Sequence, residues 1–331
     1  MKKVAVVTGC AGFLGSHLSE YLLKQGTYII GIDNLFRGQL SNLNEIIHDK
    51  NFNFINGDLS ELKTISLIQD QIDKKGGVDY IYHYAAVNGT EHFYDKPFFT
   101  YFTNNKTTEN ILLLAEANKN LLKRLVYTSS SEVYGEPGNI PTSEKELITL
   151  NIDAQRDSYA SSKANTEFMV RLKSEEMGIH YTILRPFNTY GPKMDDSKYG
   201  QVVPEFFRKA LSGDTFTIIG SGEETRSFCY VSDHVEMAIK AAESLNTINE
   251  IYNIGAEYEI SILKLAEMIH NVIGIKFIYT NLESRKDDIK RRCPNIKKLS
   301  DAIDLSPKIT LLDGLTKMYK SILENEVCLK Q

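Results

Sequence analysis

The sequence predicts a doubly wound, parallel α/β sheet followed by a smaller, mixed α/β part, and two observations carry that prediction. Over roughly the first 190 residues, short β-branched or aromatic runs alternate with longer segments of helical period, which is the pattern of parallel strands joined by crossover helices. After Arg185-Pro186 the texture changes to Gly191-Pro192, a polar Lys193–Gly200 stretch and then shorter elements, which suggests a substrate-binding part. The length of 331 residues and 42% hydrophobic content suit about two globular domains.

The elements follow in order. Val4–Thr8 reads as the first strand; Lys2-Lys3 before it imitates a secretory leader, but the apolar run stops at Thr8-Gly9. Further strands are expected at Tyr28–Ile32, Asn53–Ile55, Tyr80–Tyr84, Arg124–Thr128 and His180–Leu184. Helices are expected near Ser16–Lys24, Leu62–Lys74, Thr103–Asn118 and Tyr159–Met177, where apolar residues recur at three and four. Ligands in such sheets lie beyond the carboxyl ends of the strands, so the loops after these strands are where chemistry is expected.

The first such loop is Gly9-Cys10-Ala11-Gly12-Phe13-Leu14-Gly15, a tight glycine turn opening a helix whose backbone N–H groups can receive a pyrophosphate. Asp33 ends the second strand, where a carboxylate accepts the hydroxyls of an adenosine ribose and repels a 2′-phosphate. NAD is therefore expected rather than NADP, in a Rossmann sheet. Arg37 nearby reads as surface.

Tyr159 and Lys163 stand four apart, which puts phenol and ammonium on one face of a helix. A neighbouring cation lowers a phenol's pKa and makes it usable as a base. Ser129-Ser130-Ser131-Glu132 follows the strand Arg124–Thr128 and brings hydroxyls and a carboxylate to the same sheet edge.

Several classes are excluded or disfavoured. A net charge of −5 disfavours a sequence-independent nucleic-acid binder. The four cysteines show no C-x-x-C pairing, which disfavours a metal cage and a disulfide framework and fits a cytoplasmic protein. No apolar run is long enough to span a membrane.

Taken together, these motifs resemble the extended short-chain dehydrogenase/reductases, the NAD-dependent nucleotide-sugar epimerases, dehydratases and decarboxylases. The resemblance rests on Thr8–Gly15, Asp33-Asn34, Gly57-Asp58-Leu59, His83-Tyr84-Ala85-Ala86, Ser129–Gly135, Tyr159–Lys163, Arg185–Pro192 and Thr225–Asp233. It implies Tyr159 as base, Lys163 on the nicotinamide ribose, and Ser130 on the reacting sugar hydroxyl, with Glu132 as a further catalytic group. It implies a cofactor site of Gly9, Gly12, Phe13, Leu14, Gly15, Asp33, Asn34, Asp58, Leu59, Ala85 and Ala86. Ser131, Asn188, Val203, Arg226 and Arg292 would bind the nucleoside-diphosphate sugar, and a homodimer would form through the helices near Thr103–Asn118 and Tyr159–Met177.

The domains would then be 1–188 for NAD, with 226–256 returning to it, and 189–225 plus 257–331 for the sugar nucleotide. Ser131-Glu132 replaces the Asp-Glu of sugar 4,6-dehydratases and so lacks their carboxylic acid. The expected activity is oxidation at C4 of a nucleotide-linked sugar by a 4-dehydrogenase or 4-epimerase. A UDP-glucuronate decarboxylase, a 4,6-dehydratase and a non-catalytic NAD-binding regulator are the alternatives. Val87–Asp95 departs from the decarboxylase pattern, and its Glu91 and His92 are candidate acid/base groups or plain surface.

Overall fold

In a computed structural model, residues 2–195, 201–213, 215–283 and 289–329 are described. Parts of the polar stretch after Lys193 and of the Lys286–Lys298 segment fall outside them, as does the Glu91 side chain.

The chain runs β1 (Val4–Thr8), α1 (Phe13–Lys24), β2 (Tyr28–Asp33), β3 (Phe52–Asn56), α2 (Leu62–Lys75), β4 (Tyr80–His83), α3 (Thr90–Asp95), α4 (Pro97–Ala117), β5 (Arg124–Thr128), α5 (Asp157–Met177) and β6 (Tyr181–Pro186). It continues with β7 (Thr189–Tyr190), α6 (Val202–Ser212), β8 (Phe216–Ile219), β9 (Thr225–Ser227), β10 (Cys229–Tyr230), α7 (Val231–Glu243), β11 (Glu250–Ile254), β12 (Glu259–Ser261), α8 (Ile262–Ile273), β13 (Tyr279–Leu282), β14 (Arg291–Arg292), α9 (Lys297–Ile303) and α10 (Leu311–Leu329).

Seven parallel strands form the main sheet in the order β11-β6-β5-β4-β1-β2-β3. Strand order reverses between β1 and β4, and a crevice opens above their carboxyl ends. Side chains alternate across the sheet: Val4, Val6, Ile30, Ile32, Ile81, Leu125 and Ile183 belong to the core cluster that also takes residues from α2, α4 and α5. Ala5, Val7, Ile29, Tyr82, Val126 and Leu184 belong to the other cluster, with residues of α1 and α7. Both faces are therefore apolar, as a doubly wound sheet requires.

The ends of elements differ from the sequence reading in physically plain ways. α4 starts at Pro97, not Thr103, because proline's missing N–H costs nothing at a first helical position. β6 starts one residue later than expected and runs through Arg185-Pro186. The short helix α3 occupies a segment read only as a loop. β11, beyond α7, pairs with β6 as the seventh strand. The small sheets β7-β10, β12-β9-β14 and β8-β13 lie in the later part of the chain.

Candidate active site

Above the carboxyl ends of β1, β4, β5 and β6 lies a cavity of about 750 Å³, within the usual range for a cofactor or small-ligand site. Gly9, Gly12, Phe13, Leu14 and Gly15 line one end of it. Gly9 has φ 71°, and a Cβ there would lie 2.9 Å from the backbone nitrogen of Ala85. A Cβ on Gly15 would overlap the Gly9 carbonyl, so the turn can close only with glycine at both positions. Gly12 is the N-cap of α1 and provides no side-chain acceptor, which leaves the helix's first N–H groups to an anion in the crevice.

Asp33 is buried beside this turn and accepts from the backbone N–H of Ala11 (3.0 Å) and Leu35 (2.8 Å). Burial pushes its carboxyl pKa up, and those N–H groups only partly offset the effect. Asn34 donates to Asp58 at 3.0 Å. Leu59 is buried, with its carbonyl accepting from Asn110 at 2.7 Å. Ala86 lines the cavity, whereas Ala85 packs against the core and donates its N–H to Thr8. The glycine turn, the helix N-terminus and the carboxylate together fit a dinucleotide.

At the centre of the cavity Ser130, Tyr159 and Lys163 come together. Interaction with the Ser130 hydroxyl works to lower the pKa of the Tyr159 phenol. Lys163 Nζ lies 5.9 Å from the centre of that ring and donates to the Thr128 carbonyl at 2.7 Å. The expected easing of the phenol's pKa is not what the protein alone produces. Burial pushes Tyr159 well above its ordinary value, and burial lowers Lys163 to about 7 despite the nearby Glu167. The cation meant to activate the phenol is itself only partly charged at neutrality.

The opposite wall is charged. Arg292, from β14, grips Glu132 in a two-pronged pair, Nη2 to Oε2 at 3.1 Å and Nη1 to Oε1 still closer. Arg156 Nη2 stands 3.5 Å from the same carboxylate. Burial favours the neutral acid, but the guanidiniums of Arg292, Arg156 and Arg226 outweigh it and hold Glu132 at about 2. Ser131, Asn188 and Arg226 also line the cavity.

Val203 does not line the cavity: the phase of α6 turns it into the core, and Val202 faces the space instead. His92 is half-buried in ring contact with Phe36, 5.3 Å between centres, and is not among the residues lining the cavity. The sequence reading passed over Arg156, and the aromatic Phe93 of α3, which stacks on Tyr159 at 4.8 Å and 14°. A single aromatic in a segment that reads as a loop gave no signal distinguishing it from core. Among the described residues no cluster suited to a metal ion occurs, and no helix is long and apolar enough to cross a membrane.

This crevice, with its dinucleotide turn and phenol–ammonium pair, is that of a nucleotide-dependent oxidoreductase fold. The chain belongs to the NAD dependent epimerase/dehydratase family, whose model matches residues 5–255, and it is thereby an enzyme fold with NAD as its cofactor. It is similar to UDP-glucuronic acid decarboxylase 1 of Xenopus tropicalis, 34% identical over 96% of this chain and 71% of the relative. It is likewise 34% identical to the UDP-N-acetyl-alpha-D-glucosaminuronate decarboxylase of Bacillus cytotoxicus, over 98% of this chain and 99% of the relative. Among solved structures, UDP-glucuronic acid 4-epimerase of Bacillus cereus, in complex with UDP-4-deoxy-4-fluoro-glucuronic acid and NAD, superposes at a TM-score of 0.85. It shares 30% identity over 98% of this chain and 99% of that one.

Proposed function

We propose that this enzyme oxidises C4 of a nucleoside-diphosphate hexuronic acid and that the resulting β-keto acid loses CO2. The observation that carries the reading is the Glu132–Arg292 pair, backed by Arg156 and Arg226, facing the Ser130–Tyr159–Lys163 cluster in one cavity. The decarboxylases and the uronic acid epimerase among its relatives support a uronic acid, and UDP as the nucleotide.

In this reading Tyr159 takes the proton of the C4 hydroxyl, with Ser130 holding that hydroxyl in line. The glycine turn, the α1 N-terminus and Asp33 would hold NAD, which would supply a hydride acceptor and donor for C4 and a positive charge that would offset the burial raising the phenol's pKa. Lys163 steadies the ribose side and adds charge when protonated. Arg292, oriented by Glu132 through Nη1 and Nη2, offers the N–H groups that this pair leaves over to the sugar carboxylate. Once C4 is a ketone, the C5–C6 bond can break, its electron pair moving to the C4 oxygen while CO2 leaves. A solvent proton at C5 then gives the 4-keto pentose, and Tyr159 returns its proton to the C4 oxygen as that ketone is reduced to the pentose. Glu132, ionised at neutral pH, is no acid for expelling a C6 hydroxyl, which disfavours dehydration.

Epimerisation is the second reading, because the Bacillus cereus structure is a uronic acid 4-epimerase. Incubation with NAD and UDP-glucuronic acid separates the two: CO2 with a UDP-pentose is expected by mass spectrometry, and a C4 epimer that keeps its carboxyl overturns the decarboxylase reading. We further infer a homodimer, supported by Phe98, Phe102 and Leu113 on α4 and Phe168 and Leu172 on α5, all exposed on helices that pack together. Light scattering that returns a monomer mass would refute it.

A further inference from the structure

Three loops meet over the cofactor end of the cavity, and one arginine joins them. Arg37, in the loop after β2, donates through Nη1 to the Asn88 carbonyl in the loop after β4. Its Nη2 pairs with Asp195 at 2.5 Å, in the loop after β7. All three residues line the cavity. Sequence reading made Arg37 surface; it is half-buried because both partners cover it.

Just before Asp195, the chain leaving β7 is tied down at Pro192 and Lys193. The Pro192 carbonyl lies 2.9 Å from His17 Nε2 of α1. Lys193 donates to the Asn42 carbonyl at 2.7 Å and pairs with Glu20 of α1. The Asn88 segment is held at its base by Asn104, which accepts from the Val87 N–H at 2.7 Å and donates back to the Val87 carbonyl at 3.1 Å. Gly89 has φ 120°, and a Cβ there would overlap the Arg37 guanidinium, so the backbone comes up against the arginine only because the residue is glycine.

We infer that Arg37, Asn88 and Asp195 form a clasp across the mouth of the dinucleotide site and that its work is to retain the cofactor. The proposed reaction takes a hydride out and puts it back within one turnover. Loss of the reduced cofactor midway would strand a keto sugar. A mouth closed by an ion pair and a charge-assisted hydrogen bond opposes that loss while leaving the phenol and the sugar wall untouched. The inference rests on the family's NAD dependence; the sugar chemistry supplies only its motive.

The test reads NADH release with no sugar present, so its outcome is independent of the reaction catalysed. The enzyme is loaded with NADH, excess NAD is mixed in, and the fall in nicotinamide fluorescence gives the dissociation rate. Arg37→Ala and Asp195→Ala should each release NADH at least about fivefold faster, because each removes a charge-assisted contact at a half-buried rim. The double variant should fall clearly short of the product of the two single effects, since the two residues share one pair. Rates unchanged in both single variants, or effects that multiply in the double variant, overturn the clasp. A strap that is only structural would lower the thermal unfolding midpoint and leave the release rate where it was. Should Arg37→Ala fail to fold, Asp195→Asn, which removes only charge, decides the question by the same rate.

Discussion

Two walls of one cavity treat charge in opposite ways. On the cofactor side, Lys163 is buried, and within hydrogen-bond reach of its Nζ is the Thr128 carbonyl, so burial lowers its pKa to about 7. On the sugar side, burial also works against the charge of Glu132, but Arg292 and Arg156 hold it, and its pKa is about 2. The lesson is that burial decides only when opposite charge does not answer it. The cofactor side is thereby left short of positive charge until a cation arrives. The wall we assign to the sugar is charged in advance, and in the proposed reading its guanidiniums take the anionic ligand.

The sharpest break of this comparison is at the phenol. Tyr159→Phe keeps the stack on Phe93 and removes the proton acceptor, so turnover should fall about a hundredfold or more. NADH binding, followed by fluorescence, should persist. A variant that turns over normally would move the chemistry away from the cofactor wall.

The sugar wall responds less steeply. Glu132→Gln removes the carboxylate that aims Arg292, and misplacing a positioning group costs up to about a hundredfold. Release of CO2 from the uronic acid should fall by tens of fold, while reduction of NAD by the same substrate continues. Equal loss of both steps would mean that Glu132 serves C4 oxidation itself.

Legibility from sequence follows the same division. Tyr159 and Lys163 lie four apart on α5, so spacing alone placed them together. The glycine turn and Asp33 were readable because adjacent parallel strands bring their carboxyl ends side by side. Glu132 and Arg292 were each singled out, but their pairing spans 160 residues and depends on β14 joining β9, which no local pattern announces. Arg37 read as surface for the same reason: its partners are far along the chain. On α6 Val203 turns to the core and Val202 to the cavity, a helical rotation that only packing resolves. Phe93 was hidden because a short helix in an unfamiliar loop has too few turns to show a period.

The smallest effect expected is on stability, and the pH window in which it appears separates the two walls. The folded-state pKa of Lys163, about 7, lies below its ordinary value of 10.5. Between those values the unfolded chain holds a proton at this side chain that the folded chain does not, so raising pH through that window favours folding. Glu132 shifts the same way, from 4.5 to about 2, so raising pH through that lower window also favours folding; there the gain is a stabilisation, present above the ordinary value and lost as pH falls through about 2, whereas the lysine only sheds a penalty. Urea unfolding of the cofactor-free enzyme can isolate the lysine by comparison with Lys163→Met, which fills similar space without a titrating group. From about pH 7 to pH 9 the native protein should gain on the variant, by at most about 1.4 kcal/mol per pH unit. A difference between the two proteins that stays flat across that range would mean that Lys163 keeps its ordinary affinity for a proton in the fold. The phenol would then have a full positive charge beside it before any cofactor binds, and the contrast between the two walls would disappear.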